Sequence, residues 1–159
     1  MIRPVRTADV PTVLSLLREL ADFEFEPDAV EASDDDLRDA LFADAPLVFA
    51  HVAVEGDDVV GAAVWHPTFS TWTGRPGIHL TDLVVAGRAR TAGHGQALFG
   101  ELVRICRERG YARLDWEVCD ALVEAPDRRE PHGFYARQGA SPRPGWTAWR
   151  MDAAALAAH

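Results

Sequence analysis

The feature that most narrows the folds open to this chain is a strand that runs through a glycine loop into a helix. Ile78–Val85 ends in Asp82-Leu83-Val84-Val85, and Arg90-Thr91-Ala92-Gly93-His94-Gly95 follows within a few residues. From about residue 95 to 109, Leu98, Leu102, Ile105 and Cys106 recur on one helical face, and Gly110 stands where a C-terminal cap belongs. A helix start leaves backbone N–H groups without intrahelical partners and carries partial positive charge. Glycines let backbone approach a ligand closely. Together they suit a cradle for a pyrophosphate. The same hexapeptide also reads as an ordinary strand-to-helix turn. The Gly-Lys-Ser/Thr of a Walker loop is absent, and the glycine order is not that of a dinucleotide fingerprint.

The remaining segments alternate in type. Ile2–Arg6 reads as a short edge strand because it contains Pro4. Thr7 reads as the cap of a helix whose stripe is Val10, Val13, Leu14, Leu17 and Leu20, ending near residue 22. Ser33 can cap a second helix whose first turn holds Asp34, Asp35 and Asp36. Leu47–Val54 and Val59–Trp65 read as a hairpin about Glu55–Asp58. Tyr111–Asp120 alternates as a strand, residues 121–129 as a loop, Pro131–Gln138 as a short helix closed by Gly139, and Trp146–Met151 as a last strand. The order β-α-α-β-β-β-α-β-α-β predicts an α+β, layered sheet.

At 159 residues the chain has the length of one domain. Its 25 acids against 16 bases, all of them arginine, give a formal charge of −9. That excludes a general nucleic-acid binder, which needs a basic face, and disfavours an anionic membrane surface. No apolar run approaches the ~20 residues that span a bilayer, and the first residues do not read as a signal peptide. Cys106 and Cys119 have no metal-ligand spacing and read as reduced thiols, hence a cytoplasmic location. His66, His79, His94 and His132 show no spacing that suggests a metal.

Arg90-x-x-Gly93-x-Gly95, opening a helix after Asp82-Leu83-Val84-Val85, resembles the acetyl-CoA loop of the GNAT N-acetyltransferases. Phe134-Tyr135-Ala136-Arg137-Gln138-Gly139-Ala140 is similar to that family's Phe-Tyr-x-x-x-Gly-Ala signature. Leu20–Glu26 and Phe69–Arg75 resemble segments of its diamine (spermidine/spermine and thialysine) acetyltransferase branch. The resemblance implies a mixed, mostly antiparallel twisted sheet of about six to seven strands with about four helices. It implies a single domain over residues 1–152 followed by an Ala-rich tail, 153–159, and a possible homodimer.

The resemblance also implies roles. Backbone atoms of Leu83, Val84 and Val85 would meet the thioester of acetyl-CoA. Thr91, Ala92, Gly93, His94, Gly95 and Gln96 would wrap its pyrophosphate, with Arg90 and Arg128 adding charge or simply facing solvent. Tyr135 would protonate the leaving thiolate; without the resemblance it reads as a core aromatic. The branch carries Leu-Glu-Asp where this chain has Leu80-Thr81-Asp82, so the usual basic Glu is missing. Asp82 and Glu117, taken as strand neighbours, are the candidate replacements, and each also reads as a solvated or arginine-paired acid. Glu24, Trp72 and Thr81 fall on the acceptor side, Trp72 as a wall or as a loop anchor. Glu19 through Asp44 holds eleven acids, readable as a rim for a cationic amine or as solvated helix faces. The expected activity is acetyl transfer to a small primary amine in a ternary complex. The alternatives are an acyl-CoA-binding module without catalysis and a protein N-acetyltransferase.

Overall fold

A computed structural model of the chain describes residues 1–119 and 131–158. Their contacts form two units, Met1–Ala121 and Leu122–His159. The first unit is built on a five-stranded sheet in the order β1-β2-β3-β4-β5. The strands are β1 (Ile2–Pro4), β2 (Phe49–Glu55), β3 (Asp58–Ser70), β4 (Arg75–Val85) and β5 (Leu114–Asp115). The first three junctions are antiparallel and the β4–β5 junction is parallel. The helices are α1 (Val10–Phe23), α2 (Asp34–Phe42) and α3 (His94–Glu108) in this unit, and α4 (Pro131–Arg137) and α5 (Ala153–Ala157) in the second. The α+β class and the mixed, mostly antiparallel sheet are as expected, with fewer strands.

Alternation along the strands divides the first unit into layers. Ala50, Val52, Val54, Ala62, Val64 and Val84 form one core with Val10, Val13 and Leu14 of α1 and Leu37 and Leu41 of α2. The opposite face lies under α3, where Leu98, Phe99, Leu102 and Ile105 are buried. Gly61 lets α3 sit close, since a Cβ there would stand 3.3 Å from Leu98 Cδ1 and 2.9 Å from the Val84 carbonyl.

Several boundaries differ from the sequence reading. Thr7 is not the cap: a 3₁₀ turn over Thr7–Asp9 precedes α1. Asp9 closes that turn, accepting from the Arg6 amide at 2.7 Å while the Arg3 guanidinium donates to it at 2.6 and 2.9 Å. A carboxylate held by arginine is a stronger acceptor than a hydroxyl. Ser33 does cap α2, exchanging bonds with Asp36 in a capping box. The strand expected over Tyr111–Asp120 pairs only at Leu114 and Asp115. Past that point Trp116 turns its ring edge-on to Phe99, 5.3 Å between centroids, and Asp120 with the loop 121–129 lies outside the described residues. No strand forms at Trp146–Met151, where Trp146, Trp149 and Met151 stay exposed, so no face is buried to hold one. The Ala-rich tail is instead helical over Ala153–Ala157, capped by the Asp152 carboxylate at 2.8 Å from the Ala155 amide.

The parallel junction depends on a glycine. A Cβ at Gly77 would stand 2.6 Å from Arg113 Cγ and 2.9 Å from the Arg113 carbonyl, the group that receives the Ile78 amide at 3.0 Å. Gly77→Ala should therefore cost about 1–3 kcal/mol in chemical unfolding. Gly100→Ala, in the interior of α3 with nothing within 4 Å of its Cβ, should stabilise by up to about 1 kcal/mol. Equal effects of the two changes would contradict this packing.

Candidate active site

The site begins with one extra residue in β4. Val64 faces Asp82 across the β3–β4 ladder, but Trp65 faces Leu80, so Thr81 is a bulge. Two hydrogen bonds register the consequence. The Ile78 amide donates to Arg113, towards β5, whereas the Ala86 amide donates to Val60, towards β3. In an unbroken strand those amides would point the same way. The bulge reverses the alternation, so the amides of Leu83 and Val85 point away from β3. Because β5 pairs with β4 only at Ile78 and His79, that side of β4 carries no strand partner opposite Leu83 and Val85 among the described residues.

β4 then feeds the glycine loop. A 3₁₀ turn at Gly87–Ala89 leads to Thr91, held at φ +77°, and to Gly93, the N-cap of α3 at φ +84°. The Gly93 carbonyl receives the Ala97 amide at 2.9 Å, so the amides of His94, Gly95 and Gln96 precede the first intrahelical bond. Ala92 and Gly93 are exposed, and nothing lies within 4 Å of a Cβ built on Gly93. Open amides, free space and a helix start together fit a pyrophosphate. His94 packs its Nε2 at 3.5 Å from Glu55.

Arg90 is turned away from this loop. Its Nε donates to the Val85 carbonyl at 3.1 Å, Nη2 lies 3.5 Å from Glu19, and its guanidinium covers the Phe23 ring at 4.8 Å. Glu19 also accepts the Gly87 amide at 2.7 Å.

The bulge also chooses the face that Asp82 occupies. Leu80 opposes Trp65 on the α3 side, and Asp82 opposes Val64 on the α1 side. There it meets the field of Glu24, which follows the last turn of α1. Burial, and next the Glu24 charge, push the Asp82 carboxyl up to about 6. Burial pushes Glu24 up as well. Phe25, the next residue, sits at φ +67°. Phe25 and Thr91 are the two non-glycine residues at positive φ among those described. Each position costs on the order of 1–2 kcal/mol, and such strain gathers at functional sites.

The other sequence candidates lie elsewhere. Glu117 is exposed and outside any strand, so it is not the registered neighbour of Asp82; Glu24 is the acid that acts on it. Thr81 is the exposed bulge residue itself. Trp72 is in the turn joining β3 to β4 and is 85% exposed. The stretch from Arg75 to Asp82 alone spans roughly 23 Å at strand rise, so Trp72 is not gathered with the acid pair. Arg128 lies outside the described residues. Tyr135 is on α4 in the second unit, its ring edge-on to Phe134 at 5.0 Å. A cavity of about 350 Å³ among Phe42, Phe49, His51, Trp65 and Arg109 takes in none of the residues of this site. Sequence reasoning counted Glu19 only as the first acid of the Glu19–Asp44 stretch and missed its contacts with Gly87 and Arg90. It also missed the pairing of Glu24 with Asp82, for which the only signal was the acid-rich end of the first helix.

The model of the acetyltransferase (GNAT) family matches residues 14–140. Thialysine N-epsilon-acetyltransferase of Bos taurus is 29% identical over 164 residues, covering 98% of this chain and 94% of its own. The protein of the same name from Caenorhabditis elegans is 29% identical over 150 residues, covering 91% and 86%. Among solved structures, an integron cassette protein from the mobile metagenome of V. cholerae superposes with a TM-score of 0.78 at 26% identity, covering 99% of this chain and 95% of that one. The chain belongs to the acetyltransferase (GNAT) family and is an N-acetyltransferase.

Proposed function

We propose that the chain transfers acetyl from acetyl-CoA to the primary amine of a small molecule, by direct attack in a ternary complex. The observation that carries this reading is the open edge of β4, which runs into the start of α3 with the Glu24–Asp82 pair beside it. Use of acetyl-CoA is a general property of the family. The co-substrate brings a thioester carbonyl, and the Leu83 and Val85 amides are the donors that would polarise it. The amides from Thr91 to Gln96 would hold the pyrophosphate. An alkylammonium has a reference pKa of about 10 and no lone pair until it loses a proton. Asp82, raised to about 6, is ionised at neutral pH yet far more basic than an ordinary carboxylate, and takes that proton directly or through water. Glu24 keeps the site anionic and draws in the ammonium.

For Tyr135 as the acid that protonates the thiolate, the support is its sequence setting, Phe134-Tyr135 followed by Gly139-Ala140. The family match runs through both structural units, and we read residues 1–152 as one functional domain. The curated relatives are named for the ε-amine of thialysine. An amino-acid-like or diamine acceptor suits both those names and the acid pair. We place the enzyme in the cytoplasm, as a possible homodimer without nucleic-acid or membrane partners. Among the described residues no helix is long and apolar enough to cross a membrane.

Three measurements test these roles. Gly93→Asp puts a charged side chain at a positive-φ position beside the phosphates, and acetyl-CoA affinity should fall at least about tenfold, or 1.4 kcal/mol. Unchanged affinity by calorimetry would remove the cradle from the account. For the base, kcat/KM of the wild type should rise with pH through about 6, as Asp82 ionises. Asp82→Asn should abolish that limb and cost about 10²–10⁴-fold. Glu24→Gln should move it to lower pH, because a neighbouring negative charge no longer holds the proton on. A limb that survives Asp82→Asn and disappears in Glu117→Gln would make Glu117 the base. Tyr135→Phe should lower kcat by about 10²–10⁴-fold and leave acetyl-CoA affinity intact, and turnover near the wild-type value would exclude Tyr135 as the acid.

A further inference from the structure

We propose that Glu19 and Arg90 form a positioning pair for the transfer reaction, locking α1 to the open edge of β4, and that Arg90 is not a phosphate ligand. The inference rests on the acetyl-transfer reading. Four contacts carry it. Glu19 accepts the Gly87 amide at 2.7 Å and lies 3.5 Å from Arg90. Arg90 donates to the Val85 carbonyl at 3.1 Å and lays its guanidinium over Phe23 at 4.8 Å.

Three of the contacts join α1 to the segment after β4, and the fourth ties Arg90 back to the end of β4. Glu19 and Phe23 belong to α1, whose next residue after Phe23 is Glu24. Val85 supplies one of the two open amides, and Gly87 opens the turn that leads into the pyrophosphate loop. The Val85 carbonyl points to the same side as its amide, where no strand among the described residues satisfies it, and the Arg90 Nε fills that need. A planar guanidinium meets a carbonyl and a carboxylate along its edge and a ring on its face in one fixed geometry, which the compact, flexible ammonium of lysine does not reproduce. With Nε on the Val85 carbonyl, Nη2 near Glu19 and its face over Phe23, the guanidinium is held between α1 and the end of β4. The pair therefore fixes where Glu24, at the end of α1, sits relative to Asp82 and to the Leu83 and Val85 amides of β4. Small errors in such a placement cost up to about a hundredfold in rate.

The experiment compares two donors, acetyl-CoA and S-acetylpantetheine, which has the thioester but no pyrophosphate. For Arg90→Ala and Glu19→Ala, kcat should fall by about ten- to a hundredfold with both donors. The double variant should fall no further than the worse single one, because the two residues act as a unit. Glu19→Gln keeps a carbonyl for the Gly87 amide and should retain more activity than Glu19→Ala. A loss confined to acetyl-CoA would make Arg90 a phosphate ligand, and multiplying losses would make the residues independent. Unchanged kcat with only a lower unfolding midpoint would leave the pair a purely structural tie. Hydrogen exchange at the Gly87 amide separates this from the activity itself. Both alanine variants should speed it, even if the wild type were to acetylate no amine and the functional reading fell. Protection retained in both would overturn the pair.

Discussion

One unpaired residue, Thr81, organises the rest of the site. In a strand, side-chain direction and amide direction alternate together, so an inserted residue reverses both for everything after it. Before the bulge, Leu80 packs under α3 and the Ile78 amide serves β5. After it, Asp82 looks towards α1, Val84 joins the α1 core, and the amides of Leu83 and Val85 face the side that β5 does not reach. A regular β4 would bury the acid beneath α3 and aim those amides at β3. The amides proposed to polarise the carbonyl and the acid proposed to take the proton are thus two results of the same irregularity.

The chemistry follows from where that reversal leaves the acid. Asp82 is half-buried, with the Glu24 charge close enough to act on it, so its ionised form is doubly disfavoured. A carboxyl in that state is a better base than one in water, and neutral pH still leaves it ionised. The two strained backbone positions flank this site, since Phe25 follows Glu24 and Thr91 lies in the glycine loop before α3. The surrounding packing must hold both against their conformational preference. The ties from Glu19 and Arg90 are part of that packing.

Much of the scaffold was readable because it rests on local chemistry. The apolar stripe of α3, Gly110 behind it, the Ser33 cap and the glycine loop are set by residues near one another in sequence. The run Asp82-Leu83-Val84-Val85 announced β4 but hid the bulge, because three consecutive apolar residues carry no alternation to read. For that reason the partner of Asp82 was sought on the next strand, at Glu117, when it lies far back in sequence at the end of α1. From its place in the loop Arg90 reads as a phosphate contact or as a solvent-facing side chain, and only the fold shows the Val85 carbonyl and Glu19 drawing it to α1. The last strand failed for a different reason. Trp146 and Trp149 give a strand-like pattern, but a strand also needs an edge to pair with and a face to bury, and both tryptophans remain exposed.

The central claim is that the open amides of β4 receive the thioester carbonyl, and infrared difference spectroscopy reads that bond directly. With acetyl-CoA carrying a carbon-13 label at the acetyl carbonyl, the bound thioester should absorb at lower frequency than it does in water. Preorganised donors at Leu83 and Val85 would polarise the carbonyl more than solvent does. A bound carbonyl at the solution frequency, or above it, would mean that the carbonyl does not sit on the β4 edge, and the account built on Thr81 would be wrong.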